Sequence, residues 1–373
     1  MAAPPDPVRV AAWGCLTPLG DAVATHQALL SGSVALRLEP VLGAAGGDPV
    51  PLALLPEHAL DEEFPPRWIG EVGRLLAAGS GEGAAEGWGA PRRPVWVTGS
   101  NFGVGGMYAY RRYGEAAHLA WGNPGACADH LRSACGWGDQ VAVLSHACVS
   151  AHLGLVQAAR MLQAGLADEA LVLSFDFLSP FVTGGFHALK ILNGGFPAPY
   201  ADRPTGAIGL GDGVGYAVLS RRRGELVLLG QSLHNEMHHV TGNRPDGGGF
   251  DHCLAPLAAV AGGRRLWLKG HGTGTLEAGR LEAAAFARNF PGSPLVGWKG
   301  SLGHTLGSCG IIELAVAAES LQRGRTPGTV GSAAPTFGDQ VALESFDNAA
   351  FDGVVCASNA FGGAHAGLIL SHA

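Results

Sequence analysis

Three residues with reactive side chains stand at comparable places in this chain, each just after a short apolar run. Cys148 follows Val141–Leu144 in QVAVLSHACVSAHLGLVQAARMLQAG. Small and apolar residues then recur at helical spacing through Leu153, Val156, Ala159 and Leu162, which predicts strand, tight elbow, helix. His271 follows Leu266–Lys269 and opens HGTGT. His304 follows Val296-Gly297-Trp298 and lies in KGSLGHTLG. A cysteine at a helix N-terminus meets unpaired N–H groups that favour a thiolate and offer donors to an acyl oxyanion. Strand ends of an α/β sheet aim their loops at a common crevice, so residues remote in sequence can converge there. One cysteine with two histidines suits thioester chemistry. The thiolate takes an acyl group, and the imidazoles donate to a thioester carbonyl and assist loss of carboxylate from a malonyl group.

Lys299 and Glu313 admit two readings. They are surface charges or a simple salt bridge, or Lys299 orders the second histidine while Glu313 holds Lys299 or a backbone turn. Cys/His/His is also a competent zinc donor set, but its wide dispersion supplies no short chelating pair. A cysteine-protease reading leaves the second histidine and the glycine motifs unexplained.

The elements that must position these groups read as alternating strands and helices. Strands are predicted at Val8–Trp13, Val95–Gly99, Glu169–Phe175, Tyr216–Leu219, Leu226–Leu229, 341–346 and 352–357. GCLTPLG at 14–20 reads as a loop, and Asp21 as the cap of a helix through His26–Leu30. Helical patterns occur at Trp68–Ala78, over much of 107–139, at Glu277–Phe290 and from about Gly307 to Arg323. The run 79–94 reads as surface loop. Pro256 opens a short helix through Leu257–Ala261. The segment 177–200, beginning at Phe177, is aromatic and broken by Gly and Pro, which suits either a cavity lining or plain core. Charged residues 221–225 divide the chain into halves, 1–221 with the cysteine and 222–373 with both histidines. The alternation predicts a layered α/β protein with parallel-rich sheets.

The composition narrows the class. The chain has 373 residues, is 47% hydrophobic and only 15% charged, which predicts a large buried surface, including a subunit interface. A net charge of -7 without a basic stripe argues against nucleic acid as a partner. Seven scattered cysteines without CxxC spacing point to a reducing compartment. The start, MAAPPDPVRV, lacks a basic-then-apolar signal pattern. No run of roughly 18 apolar residues could span a membrane. The expectation is a soluble cytoplasmic protein.

Taken together, these motifs resemble the β-ketoacyl-ACP synthases, the elongating condensing enzymes of the thiolase superfamily. The resemblance rests on GCLTPLG, the nucleophile segment around Cys148, DRPTGAIGLGDGVGYAVL, HHVTGNRPDGGG, HGTGT, KGSLGHTLGSCGIIE and SNAFGGAHAGLIL. It implies a five-layer αβαβα fold of two similar halves. It implies that Cys148 accepts the acyl group, that His271 and His304 bind the malonyl thioester, and that Lys299 and Glu313 are a supporting pair. The implied oxyanion hole is the Cys148 N–H with one from the Asn359–Ala360 turn, and Asn359, Ala360 and Phe361 form the gate. Thr273, Thr275, Phe177 and His146 are the candidate substrate contacts. No cofactor or metal is expected on the chain, since substrates ride the phosphopantetheine of an acyl carrier protein. The expected assembly is a homodimer, or a heterodimer with a second ketosynthase-like chain.

The chain also departs from the family. Arg280 stands near the usual Asp after HGTGT, Asn359 stands where the gating phenylalanine is expected, and His146 replaces a small or polar residue. The chain is shorter than its family, with the region after Phe175 trimmed. These departures favour a secondary polyene or polyketide pathway over housekeeping fatty-acid synthesis. Two other readings stand beside the synthase: a chain-length-factor-like partner subunit, and a cysteine-dependent acyltransferase without condensation.

Overall fold

The computed structural model describes residues 7–56, 58–60, 70, 72, 75 and 87–373. Among these, one sheet of eleven strands carries the architecture. Ten strands form its continuous path: β1 (Val8–Thr17), β2 (Val95–Thr98), β3 (Val141–Leu144), β4 (Glu169–Asp176), β5 (Gly213–Ser220), β6 (Leu226–Asn235), β7 (Leu266–Lys269), β8 (Leu295–Val296), β9 (Gly353–Ala360) and β10 (Ala364–His372). Their spatial order is β8-β7-β9-β10-β6-β1-β5-β4-β2-β3.

That order is one five-strand pattern used twice. From each outer edge inward, the strands come third, second, fourth, fifth, first. In both sets the second strand pairs in parallel with the third and the fourth. The fifth pairs antiparallel with the fourth and the first. The two sets meet where β1 pairs antiparallel with β6 over Val8–Val10 and Leu226–Leu228. The parallel strands are short apolar runs covered on both faces, as parallel sheets require. β4 is buried from Ala170 to Asp176 and β9 along its whole length.

Among the described residues, the helices of nine residues or more are α1 (Ala22–Leu30), α2 (Val104–Tyr113), α3 (Pro124–Cys135), α4 (Ser150–Gln163), α5 (Pro180–Ala188), α6 (Gly248–Ala261), α7 (Leu276–Asn289) and α8 (Cys309–Arg323), and Lys299–Leu302 forms a single helical turn. α4 and α8 touch strands of both sets and each other, so they lie between the two halves of the sheet. Every residue of α8 from Cys309 to Leu321 is buried, which its sequence allows because apolar and small residues encircle it. α3 packs outside the first set, while α6 and α7 pack together outside the second. The result is the five-layer αβαβα arrangement of two similar halves.

Close approach of the central helices to the sheet depends on glycine. A Cβ on Gly154 of α4 would lie 2.7 Å from Thr98 Cγ2 and 3.0 Å from Val172 Cγ1. On the other side, a Cβ on Gly213 would meet Ile312 of α8 at 2.3 Å. These contacts set how deeply each helix start sinks toward the strand ends.

Some sequence expectations shift. β1 continues through half of the expected 14–20 loop, because Gly14–Leu16 pair with Val214–Tyr216 of β5 and Leu16 and Thr17 with Gly20–Asp21. Asp21 caps α1 as expected, accepting from Ala24 N at 2.9 Å. Pro256 lies inside α6, which begins at Gly248; tertiary packing of a buried apolar face outweighs the missing N–H. The expected strand at 341–346 is reduced to a bridge at Val341 and a two-residue strand, Phe346–Asp347, paired with Arg325–Thr326. Apart from Gly70, Val72 and Leu75, which are helical, the expected helix at 68–78 lies outside the described residues, as does the first half of the loop at 79–94.

Gly154→Val is expected to lower unfolding free energy by about 1–3 kcal/mol through overpacking, read from urea midpoints, and to slow alkylation of Cys148 as α4 is displaced.

Candidate active site

The elbow at Cys148 is built by its own backbone. Ala147 takes a left-handed φ of 44°, unusual for a residue with a side chain. Ser150 pins this turn: its Oγ donates to Ala147 O at 2.6 Å and accepts from His146 N at 2.8 Å. From α8, the Cys309 thiol donates to the Cys148 carbonyl at 3.4 Å. The loop carrying His304 contains a second left-handed residue, Leu306 at φ 54°. Here Ser174 Oγ of β4 donates to Gly307 O at 3.3 Å, joining the His304 loop to the cysteine half.

The three reactive groups converge as the sequence predicts. His304 Nε2 lies 2.9 Å from Cys148 Sγ. The rings of His271 and His304 are 4.9 Å apart and perpendicular. One ligand-type atom from each of the three residues lies within 4.8 Å of the other two. All three are buried at the base of a cavity of ≈ 290 Å³.

Behind the imidazoles sits a buried charge cluster. Lys299 Nζ donates to Glu313 Oε1 at 2.6 Å and to the His271 carbonyl at 2.8 Å. This favours the supporting role for the pair over surface charge. Lys269, which sequence reasoning passed over, pairs with Glu313 Oε2 and donates to Gly270 O at 2.6 Å. Both lysines and Glu313 are nearly inaccessible. The available signal was a lysine ending an otherwise apolar, buried strand. Glu282 was also missed as a site residue. It accepts from His271 N at 2.6 Å, Gly272 N at 3.0 Å and Tyr200 OH at 2.8 Å, holding the HGTGT turn in place.

Burial raises the Cys148 thiol far above its ordinary range, with Cys309 adding to the rise and Lys299 opposing it. The expected helix-terminus thiolate is therefore overruled by desolvation. The resting group is a thiol in contact with an imidazole. Burial first, then Lys299 and Lys269, holds His304 well below its usual value. His271 is lowered by burial, Lys299, His304 and Lys269. Both rings are neutral at neutral pH, and the buried positive charge behind them favours an anion over a dication at this point.

The other predicted residues divide. Thr273 and Thr275 line the cavity and bond each other at 3.2 Å. Asn359, Ala360 and Phe361 form the opposite wall. Asn359 and Ala360 belong to the end of β9 rather than to a turn, which falls at residues 361–363. Asn359 Nδ2 donates to Asn243 Oδ1 at 3.4 Å, a polar contact where an aromatic gate was expected. Phe361 stacks on Phe186 of α5 at 6.0 Å. Phe177 and His146 do not line this cavity. Phe177 packs beside Phe175 because Leu178 N is bonded to Asp212, which turns the chain into the core. His146 is half-buried at the elbow, directed by the left-handed Ala147. Arg280 is exposed and lies over the Phe337 ring, away from the reactive groups. From the segment 177–200, Phe186, Leu189 and Ile191 supply the cavity's apolar wall.

Residues 227–332 match the family described as "Beta-ketoacyl synthase, C-terminal domain". Over that stretch the chain is similar to the β-ketoacyl synthases. It is 28% identical over 258 residues to the tetracenomycin polyketide synthase ketoacyl synthase alpha subunit of Streptomyces glaucescens, covering 62% of this chain and 60% of that one. It is 28% identical over 250 residues to 3-oxoacyl-[acyl-carrier-protein] synthase 2 of Coxiella burnetii, covering 60% of each. The matched region thus spans about 60% of the length of these curated synthases. The fold is shared along the whole chain with solved ketosynthases. A structure of the ketosynthase ApeO with its chain length factor ApeC from Xenorhabdus doucetiae superposes with a TM-score of 0.80, at 23% identity and full coverage of both chains. The ishigamide ketosynthase/chain length factor gives 0.84 at 17% identity, covering 99% of this chain and 100% of that one.

The buried imidazoles make stability pH-dependent. His152, one turn beyond Cys148, is lowered to about 4, chiefly by burial. The unfolded chain then binds more protons below about pH 6.5. The contribution is complete above that pH and is lost as pH falls toward 4. Urea unfolding at pH 7.5 and pH 5 is expected to show this loss, and His152→Leu to flatten the slope.

Proposed function

We propose that this chain is a ketosynthase performing decarboxylative Claisen condensation between an acyl group on Cys148 and a malonyl group on an acyl carrier protein. The observation that carries the reading is the 2.9 Å contact between Cys148 Sγ and His304 Nε2, with His271 beside it at the cavity base.

In the first half-reaction, His304 takes the thiol proton as sulfur attacks the acyl thioester. The departing pantetheine thiolate takes that proton back. In the second, the carbon–carboxylate bond of the malonyl group breaks and carbon dioxide leaves. The electron pair moves into a thioester enolate, whose oxygen accepts hydrogen bonds from the two imidazoles, the neutral His304 ring having moved its proton from Nδ1 to Nε2 by exchange with solvent. The enolate carbon attacks the acyl carbonyl, and collapse expels the Cys148 thiolate, which takes up one proton from solvent through His304 to restore the resting thiol. Cys148 N–H and an N–H near Asn359–Ala360 serve as the oxyanion donors. Lys299 holds His271 through its carbonyl, and Glu313 holds Lys299. Thr273 and Thr275 contact the arm, and Phe361 closes the mouth.

The chain itself needs no bound cofactor in this reading, because both substrates arrive on phosphopantetheine. It works in the cytoplasm. No helix among the described residues is long and apolar enough to cross a membrane. The 3-oxoacyl product and a polyketide pathway are supported by relatives of both kinds; an aryl polyene pathway is proposed on the sequence departures alone. The neighbours solved with chain length factors support a heterodimer in which this chain is the active half, with a homodimer as the other arrangement. Retention of the cysteine and both histidines disfavours the chain-length-factor role.

Incubation with acyl-ACP is expected to add one acyl group to Cys148 by intact mass, and malonyl-ACP then to yield a β-ketoacyl product. Cys148→Ala abolishes the adduct. His271→Ala and His304→Ala lower condensation about 10²–10⁴-fold. An adduct without carbon–carbon bond formation identifies an acyltransferase, and no adduct with any partner chain present overturns the assignment.

A further inference from the structure

Lys299 and Glu313 alone would form a neutral buried pair. The structure places a second lysine on the same carboxylate. Lys269 enters from the end of β7, and its side chain is fully buried. Each Glu313 oxygen meets one lysine, Oε1 facing Lys299 and Oε2 facing Lys269. The remaining neighbours of Lys269 Nζ also suit a cation: the Gly270 carbonyl at 2.6 Å and the Trp298 ring face at 5.8 Å. The other buried carboxylate of this centre, Glu282, is taken up by His271 N, Gly272 N and Tyr200 OH, so the two ammonium groups share the single Glu313 carboxylate and their cluster by itself carries an excess positive charge behind both imidazoles.

We propose that Lys269 is a positioning residue of the reactive centre, giving the Lys269–Glu313–Lys299 cluster a net charge of about +1 that stabilises anions formed at Cys148 and on a substrate beside His304. Burying an unbalanced charge is costly unless an opposite charge is to appear beside it. Under the condensation reading, on which this inference rests for its purpose, two such charges appear: the Cys148 thiolate and the thioester enolate. The thiolate forms as its proton passes to His304, and the enolate forms with both rings neutral; Lys269 lies among the charges that hold those rings unprotonated. The groups facing Cys148 are His304, His271, Cys309, Lys299 and Asp176. Of these, Asp176 is the anionic one, and the N–H groups of Ser100 and Asn101 bond it. Lys269 therefore supplies the positive excess that the inner groups lack.

The test is a charge cycle in the full chain. Lys269→Met removes one positive charge and leaves the Glu313–Lys299 pair intact. Glu313→Gln removes the negative charge. The double variant restores the net charge of the native cluster. The readout is the rate of Cys148 alkylation by iodoacetamide at fixed pH between 7 and 9, followed by intact mass, which tracks the thiolate fraction and requires no substrate or partner. Lys269→Met is expected to lower that rate about tenfold and Glu313→Gln to raise it about tenfold, with the double variant near wild type. Circular dichroism and thermal midpoints establish that each variant is folded. Rate changes of the same sign in both single variants, or no change in Lys269→Met, overturn the inference, because loosened packing moves both alike. The opposite-sign cycle in a chain that forms no β-ketoacyl product retains the charge role and rejects the condensation reading. A normal condensing chain without the cycle does the reverse.

Discussion

The Glu313 carboxylate is the constraint on which the site depends. It lies on α8, the helix buried along nearly its whole length. One oxygen binds Lys299, which in turn holds the His271 carbonyl. The other binds Lys269, at the end of the strand that delivers His271. One carboxylate thus ties α8, the β7 end and the turn before His304 into a single unit. A buried acid would be costly alone, and so would either lysine. Together they fix the geometry of two imidazoles that have few other polar contacts, since the Nδ1 atoms of both rings lack a hydrogen-bond partner among the described residues.

The doubled sheet explains why such a unit can face a cysteine from the other half. Each five-strand set directs its parallel strand ends toward the middle, where α4 and α8 lie side by side. Cys148 precedes α4, and His304 precedes α8, so the two residues occupy equivalent places in the two sets. The 2.9 Å contact between them joins the two halves chemically. Glycines at 154 and 213 let the helices approach closely enough for that contact. The cavity above opens between a polar wall at Asn243 and Asn359 and an apolar wall of Phe186, Leu189 and Ile191.

Much of this was legible before any coordinates. The apolar run, elbow and helix around Cys148, the two histidine motifs and the alternation of strands and helices all follow from local pattern. Local pattern is reliable there because apolar runs at strand or helix spacing have few ways to be buried. The short pieces were harder. The strand expected at 341–346, the helix start at Pro256 and the loop at 14–20 were decided by remote partners, which local propensity does not encode.

By itself, the sequence determined which groups could react and the order in which secondary structure would present them. It also determined the layered class, because periodicity and burial are properties of single segments. Tertiary structure decided the rest. It buried Cys148 deeply enough that desolvation overrides the helix terminus, a balance set by neighbours hundreds of residues away. It turned Phe177 into the core and kept His146 out of the cavity, since backbone direction at Asp212's partners and at Ala147 is not written in residue type. It also brought Lys269 onto Glu313. A lysine at a strand end reads as solvent-facing until the helix that covers it is in place.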